Sequence, residues 1–555
     1  MMKRFFFLPI VLIACSLAAG AIDFEVDNLR YSVNSDNTSV TVTTPAEGKT
    51  YSGDITIPGS VANNGVTYSV TAIGDDAFQD CTELTSVVMP NSVTSIGEYA
   101  FDYCRKLKSV VMPNSVTSIG DGAFQNCSGL TSVTIGNSVT SIGWSAFSGC
   151  SGLTSIKVES GNQKYDSRDN CNAIIETASN TLVVGCKMSI IPETVSCIGS
   201  YAFSGCAGLT SVVIPNSVIS IGSNAFEDCS SLTSVTIPNS VTSIGDGAFH
   251  YCSALTSVSL PENLTSIGNS CFRWCFKLKD VDIPASVTKI GDAAFDGCSL
   301  TKVVIPNSVT EIGVYSFKGC DKLTDVTIGN SVTTIGEGAF QNCSNLPRVT
   351  IPKSVTYLDL QAFSDCNSLK SLTWNAKECI IGTDWLHNVQ LTELIIGDEV
   401  ERIPAYWMEN QSSLTSLVIP ASVTWIGEYA FEDCYGLTRI DAYPDPAKVT
   451  MGENVFICVE NDGTLHVLPQ YLSAYQTANQ WRDFTNIKGD LSEFVKGDVN
   501  KDKEVSIADV TTLVNILMAN ESPIAATDFP TADVNEDGEV GIADVTSLVN
   551  ILLAE

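Results

Sequence analysis

Oxygen-bearing side chains recur at one spacing near the C-terminus. Asp498, Asn500, Asp502, Glu504 and Asp509 are matched, in the same order and at the same intervals, by Asp533, Asn535, Asp537, Glu539 and Asp544. Each set fills positions 1, 3, 5, 7 and 12 of a twelve-residue loop. Calcium takes six to eight oxygen ligands at loose geometry, and a short loop with carboxylate and amide oxygens at alternate positions can wrap it. At position 7 the ligand would be the backbone carbonyl of Glu504 or Glu539. The spacing predicts two Ca2+ sites, and an acidic tail with chance spacing would not repeat this register. Position 12 is Asp rather than the usual Glu. Lys503 stands at position 6, where the backbone usually needs φ > 0 and glycine. That costs on the order of 1 kcal/mol, so the first site is expected to be the weaker.

Elements that could hold such loops follow directly. Residues 510–518 and 545–553 carry Val, Leu and Ile three and four apart, which gives each segment one apolar helical face. The two copies can pack as a pseudo-twofold pair whose order depends on metal. The last 61 residues hold 12 Asp+Glu and 3 Lys, a shift in composition that marks a separate module. Residues 497–553 resemble a type I dockerin. The resemblance implies calcium-dependent docking to a cohesin-like module, with loop positions 10 and 11 and the following helix touching the partner. Those positions are Ile507 and Ala508, and Ile542 and Ala543. They are apolar rather than hydroxylic, so the specificity of well-known cohesins does not carry over.

Upstream, self-similarity dominates. An Ala-Phe-x-x-Cys pattern places Phe78, Phe101, Phe124 and Phe147 at intervals of 23, and Phe203, Phe226, Phe249, Phe272 and Phe295 continue it. Phe317 follows after 22, then Phe340 and Phe363, with Leu386, Met408 and Phe431 in the same phase. The interval from Phe147 to Phe203 holds one enlarged turn, at 158–197. The count is about seventeen turns. In one unit, Leu130, Val133 and Ile135 have the spacing of a short strand, and Val139, Ile142, Ala146, Phe147 and Cys150 complete an inward set. No unit can bury its apolar side alone, so the units must stack into a parallel-strand solenoid with a continuous core. Thirteen of 20 cysteines stand three residues after the Phe position. One thiol per turn at a fixed phase reads as a buried ladder; disulfides are the competing reading in an exported protein. No Cys/His cluster has zinc spacing.

Residues 55–440, through Ile-Pro-Asn-Ser-Val-Thr-Ser-Ile-Gly followed by Ala-Phe-x-x-Cys, resemble the BspA-like leucine-rich-repeat family of bacterial surface proteins. The segment from Tyr165 to Ile174 is similar to an insertion seen in that family. The resemblance implies adhesion to host proteins or other cells. It carries over no fixed binding residues.

Lys3 and Arg4 precede an apolar stretch from Phe5 to Ala14, and Ala19-Gly20-Ala21 is a small-residue cleavage site. Leu12-Ile13-Ala14-Cys15 also fits a lipoprotein box, so export ends either in release or in a lipid tether at Cys15. The expected division is 1–21 signal peptide, 22–72 N-terminal β cap, 73–460 solenoid, 461–494 C-terminal cap and linker, and 495–555 dockerin-like module. Tyr471, Tyr475, Trp481, Phe484 and Ile487 are expected to close the core end.

The charge balance, 62 Asp+Glu against 30 Lys+Arg, argues against nucleic acid or an anionic membrane surface as partner. No later stretch reads as a transmembrane segment. Three histidines at unrelated phases, with no nucleophile elbow or phosphate loop, offer no catalytic constellation. Asp280, Asp282 and Asp325 are the carboxylates that could gather on the strand face. The chain is expected to be a non-catalytic binding scaffold. The alternative is a carbohydrate-binding component of a polysaccharide-degrading complex. Strand phase turns Ser132 and Thr134, Ser234 and Thr236, Ser257 and Ser259, and Arg348 and Thr350 outward as a hydroxyl-rich face for a protein or glycan. Phase also buries Trp374, Trp385 and Trp407 and turns Trp144, Trp274 and Trp425 out.

Overall fold

The computed structural model describes residues 23–491 and, beyond them, 497, 499, 505–519, 524–525, 531–535, 537 and 539–554. The proposed signal segment and Cys15 lie outside these residues. Two compact units are distinguished, 1–178 and 179–555.

In the first unit, the turn around Phe124 shows how a repeat is built. Ser118–Ile119 pairs in parallel with Ser95–Ile96 on one side and Ser141–Ile142 on the other. Ser132–Ile135 pairs in the same way with Ser109–Val111 and Ser155–Val158. Between these strands runs a third ladder. The N–H groups of Gly122, Phe124 and Asn126 donate to the carbonyls of Trp144, Ala146 and Ser148 in the next turn, at 2.8–2.9 Å. Three alternate donors can face one way in a tight turn only if the flanking residues adopt φ > 0. Gly122 has φ 59° and Asn126 φ 56°. The same two positions, two before and two after the column Phe, are positive in turn after turn: Tyr99 and Tyr103, Asn224 and Asp228, Ser270 and Trp274, Tyr315 and Gly319. Each non-glycine residue there stores strain of about 1 kcal/mol or more, offset by the inter-turn bond its N–H makes.

The core is a column of phenylalanines. Successive rings from Phe78 to Phe147, and from Phe203 to Phe363, stack 4.9–5.5 Å apart at 3–10°. Phe456 lies 5.4 Å from Phe431 and extends the series one step beyond the spacing seen in the sequence, because its interval is 25 residues. The solenoid has about eighteen turns, in line with the spacing. Where Leu386 and Met408 occupy the Phe position, Trp385 and Trp407 occupy the Ala position and are buried, so volume is exchanged within the turn. In the second unit Gly185 takes the Phe position of the enlarged turn. Its N–H donates to Ala202 O at 2.7 Å, and a Cβ there would stand 2.2 Å from the Phe203 ring.

Aromatics seal the column of the first unit at its start and that of the second unit at its finish. Tyr51 packs at a tilt against Phe78, with ring centroids 4.9 Å apart, and its hydroxyl donates to Thr43 O at 2.9 Å. The strands Asp23–Val26, Leu29–Val33 and Ser39–Val42 lead from this end into Val66–Ile73, which joins the repeats at Ser95–Ile96. In the second unit Trp481 and Phe484 meet Phe456 at 5.3 and 5.4 Å. Tyr475, in the single-turn helix α1 (Leu472–Tyr475), donates its hydroxyl to Pro444 O at 2.8 Å. Tyr471 and Ile487 are half-buried at this end.

The ladder cysteines carry thiols rather than disulfides, and they do more than fill space. From Cys104 onward the Sγ donates to the carbonyl of the column residue one turn back: Cys104 to Phe78 O at 3.1 Å, Cys229 to Phe203 O at 3.2 Å, Cys434 to Met408 O at 3.0 Å; Cys81, in the first turn, instead accepts the Tyr51 N–H at 3.3 Å. The column carbonyl already accepts the N–H of its own turn's cysteine, Cys81 for Phe78 at 3.1 Å. Both lone pairs of a buried carbonyl are thereby filled.

Burial pushes the thiols of Cys206, Cys252 and Cys434 from 9.0 up to about 12. The folded value lies above the unfolded one, so the unfolded chain ionises first as pH rises. The stability these thiols contribute is complete below pH 9 and is lost progressively between pH 9 and 12. Urea midpoints measured from pH 7 upward should hold and then fall beyond about pH 9. In the native protein, iodoacetamide should modify the exposed Cys458 and reach the ladder only on unfolding; labelling of native Cys252 would contradict this arrangement.

Candidate calcium-binding docking module

The C-terminal helices are α2 (Ile507–Ala519) and α3 (Ile542–Ala554). Leu513 and Leu548, equivalent in the two copies, are fully buried. They pack with Val499, Ala532, Val534 and Val540, and with Val510 and Val545 at the edge. Val510, Leu513, Val545 and Leu548 lie in the two segments to which the three-and-four spacing gave an apolar face. A two-stranded antiparallel pair, Ile524–Ala525 with Glu539–Val540, ties the second loop to the segment between the helices.

The second loop gathers its acids. Asp533 and Asp544 are buried and Asp537 is exposed, yet each places a carboxylate oxygen within 4.8 Å of the others. Asp537 N–H donates to Asp533 Oδ1 at 3.1 Å and to Asn535 Oδ1 at 3.0 Å, and Asn535 Nδ2 donates to Asp537 Oδ2 at 2.9 Å. Positions 1, 3, 5 and 12 therefore converge. The side chain of Glu539 lies outside what the structure describes, and its expected role was through the backbone.

Asp544 also closes the loop. Its Oδ1 accepts the N–H groups of Val534 and Asn535 at 2.7 and 3.0 Å, and its Oδ2 accepts Gly541 N–H at 2.7 Å. The last contact is the reciprocal half of a capping box, from the third residue of α3 back to its N-cap. Asp509 does the same for α2, accepting Ser506 N–H at 2.8 Å and Ser506 Oγ–H at 3.3 Å. The Ser-x-x-Asp spacing at 506–509 is a helix-start signal that the ligand reading passed over. Asp498, Asn500, Asp502 and Glu504 lie outside the described residues, as does Lys503.

Three carboxylates this close repel one another, and two of them are removed from water. An all-oxygen set with no nitrogen or sulfur donor suits a hard cation, and the ring of ligands from one short loop suits calcium rather than magnesium. Among the described residues this is the group of three or more His, Cys, Asp or Glu side chains placed to share a metal ion. Bound there, calcium would neutralise the charge, while the chain supplies the pre-formed hydrogen bonds that hold the oxygens in place.

Of the expected partner-facing residues, Ile507 is 73% and Ile542 81% exposed. Ala543 is exposed, and the side chain of Ala508 is not described. At the far ends of the helices Met518 and Leu553 are exposed in matching positions, 81% and 79%. On the repeats, Trp144 is open to solvent, Trp274 and Trp425 are half-buried, and Trp374, Trp385 and Trp407 are inside. Asp280 and Asp282 are exposed, and Asp325 pairs with Lys302 at 2.8 Å. His466 contacts Asp490 at 2.7 Å and His250 contacts Glu227 at 3.3 Å, so these histidines serve separate local pairs. No described helix is long and apolar enough to cross a membrane.

A parallel-strand repeat solenoid followed by a paired loop–helix module defines a modular scaffold protein. The chain belongs to the BspA type leucine rich repeat family, which matches in six copies over residues 60–175, 184–301, 288–415 and 401–466, and residues 496–553 match the dockerin type I domain. Among solved structures, a leucine-rich repeat protein from Bacteroides ovatus ATCC 8483 is 25% identical, covering 84% of this chain and 99% of that one with a TM-score of 0.40. One from Eubacterium ventriosum ATCC 27560 is 21% identical over 66% and 95%, TM-score 0.42. The pneumococcal vaccine antigen PcpA is 16% identical over 85% and 100%, TM-score 0.36. No match was found among curated proteins. The two families are binding modules, so the chain is a protein-binding scaffold with a docking domain. Type I dockerins bind calcium and take cohesin modules as partners.

In the full chain, Asp537→Ala should weaken calcium binding at the second loop by about tenfold or more and leave the helices intact, because the residue is exposed. Calorimetric titration of chelator-stripped protein measures it; an unchanged isotherm would remove Asp537 from the ligand set.

Proposed function

We propose that this chain is an exported, non-catalytic adhesion scaffold that docks through two calcium-loaded loops to a cohesin-like module. The observation that carries the docking half is the second loop, where buried and exposed carboxylates converge on one point while the helix behind it leaves apolar side chains in water. Ile507 with Met518, and Ile542 with Leu553, offer the same apolar pair twice, related by the duplication. A partner with an apolar rather than hydroxyl-reading face fits them. The first loop, with Lys503 in place of glycine, supplies the weaker site. The division of labour follows the proposed boundaries: 1–21 for export, 22–72 and 461–494 as caps and linker, 73–460 for ligand, and 495–555 for docking. Cleavage after Ala21 releases the chain; lipidation at Cys15 would tether it.

The repeat face supports a protein ligand with a basic surface. Exposed threonines form inter-turn rows in which each hydroxyl donates to the backbone carbonyl of the turn before. Thr94 donates to Thr71 O, Thr117 to Thr94 O and Thr140 to Thr117 O, at 3.1–3.2 Å. Thr131 and Thr154 repeat this beside the longer strands. With their donors committed, these hydroxyls present acceptor lone pairs outward, and the net charge of -32 adds a negative field. Such a surface favours donor-rich partners and rejects acidic ones.

A pull-down of a cohesin module by the full chain should succeed in calcium and fail in chelator. Ile507→Asp together with Ile542→Asp should abolish it, and either change alone should leave part. Capture that ignores both calcium and the double substitution would refute the docking assignment.

A further inference from the structure

Where a positive-φ position carries a large side chain, it can lean toward the same position of the next turn. Glycine commonly follows it. Tyr99 lies over Gly122 and Tyr315 over Gly338; a Cβ on either glycine would stand 2.5 Å from the tyrosine ring. Two tyrosines are followed by another ring instead: Tyr406 by Tyr429, stacked at 5.3 Å, and Tyr251 by Trp274. Tyr251 and Trp274 meet edge-to-face at 4.5 Å and 64°. Trp274 is then followed by Gly297, at φ 73°, where a Cβ would stand 2.9 Å from the indole Cδ1. Phe276 adds a third ring, 6.5 Å from Tyr251. Tyr251 and Phe276 are 39% and 51% exposed. None of the three belongs to the interior column, which runs beneath them through Phe249, Phe272 and Phe295.

Polar groups rim this cluster. The Arg273 guanidinium lies 4.2 Å over the Trp274 ring and pairs with Asp296 at 2.9 Å. The His250 ring packs against Tyr251 and Trp274 at 4.8 and 5.3 Å, with Nδ1 3.3 Å from Glu227 Oε1. In the tautomer in which Nδ1–H donates to Glu227, Nε2 keeps a lone pair, and it has no hydrogen-bond partner. Asp228 stands exposed beside Glu227.

We infer that Tyr251, Trp274 and Phe276 form a glycan-binding platform, and that its ligand is a neutral oligosaccharide. Exposed aromatic rings give the C–H faces of sugars a dry, rigid surface, and hydroxyls need acceptors and donors at its edge. Glu227, Asp228, Asp296 and Arg273 supply those. Three carboxylates against one arginine, itself paired, disfavour an acidic sugar. Arg273 covers one face of Trp274, so a ligand meets that indole at its edge and stacks on the exposed rings of Tyr251 and Phe276. The site is separate from calcium docking and does not rest on it.

The test applies the full chain, in calcium, to an array of neutral and acidic oligosaccharides. Binding to one or more neutral sugars is expected. The double substitution Tyr251→Ala with Phe276→Ala should weaken it by about tenfold without shifting the thermal midpoint, and Trp144→Ala should bind like the parent. A second measurement needs no variant: the bound sugar should protect Trp274 from oxidation by N-bromosuccinimide, read by peptide mass spectrometry. Failure to bind any neutral sugar, binding to acidic sugars alone, full binding by the double variant, or unprotected Trp274 would each overturn the inference, and each leaves the cohesin experiment unaffected.

Discussion

Everything in the repeats depends on one constraint: each turn must hydrogen-bond to the next at the same phase. Turns joined in register must keep nearly the same length, so the interval of 23 residues recurs, and departures are small, as in the 25 residues from Phe431 to Phe456, except in the one enlarged turn. Register also stacks identical side chains on one another, which is why the interior of each unit can be a column of phenylalanines and the exterior a set of rows. Of the three inter-turn ladders, the one beside the column asks most of the chain. It needs left-handed backbone at two positions per turn and places that strain next to the densest packing in the molecule.

The thiol ladder follows from the same geometry. A column residue in a tight turn has a carbonyl with two lone pairs and no water to fill them. Its own turn supplies one N–H. The next turn supplies a thiol, small enough to fit between stacked rings and weakly polar enough that burying it costs little. Serine would bring a stronger donor at a higher desolvation cost, and alanine would leave the second lone pair empty. The regular recurrence of cysteine, rather than any small residue, has this physical reason.

Much of this was legible in the sequence, and the illegible parts have definite causes. The Phe-x-x-Cys phase gave turns, core and thiol column, because register makes spacing and structure the same thing. Buried Trp385 and Trp407 were readable for that reason. Phe456 was missed because its interval is 25, and Gly185 because nothing about a glycine marks it as standing in for a phenylalanine. The left-handed positions were hidden by their occupants: Tyr99, Trp274, Ser270 and Ala293 do not announce φ > 0 as glycine would. In the docking module the calcium spacing located Asp533, Asn535, Asp537 and Asp544, and the structure brings them together. What spacing alone did not reveal is that Asp509 and Asp544 also start their helices, because one residue type served two signals at one position.

The ladders have a direction. The N–H groups beside the column reach forward to the next turn, and from Cys104 onward the ladder thiols reach back to the one before. Each repeat therefore carries, on its leading side, the complement of its own trailing side. Losing or gaining one whole repeat by recombination within its gene restores every bond across the new junction. The caps at either end still meet the partners they were shaped for. Reach can thus change by whole steps over generations, while the C-terminal module and the chemistry of the two ends stay as they are.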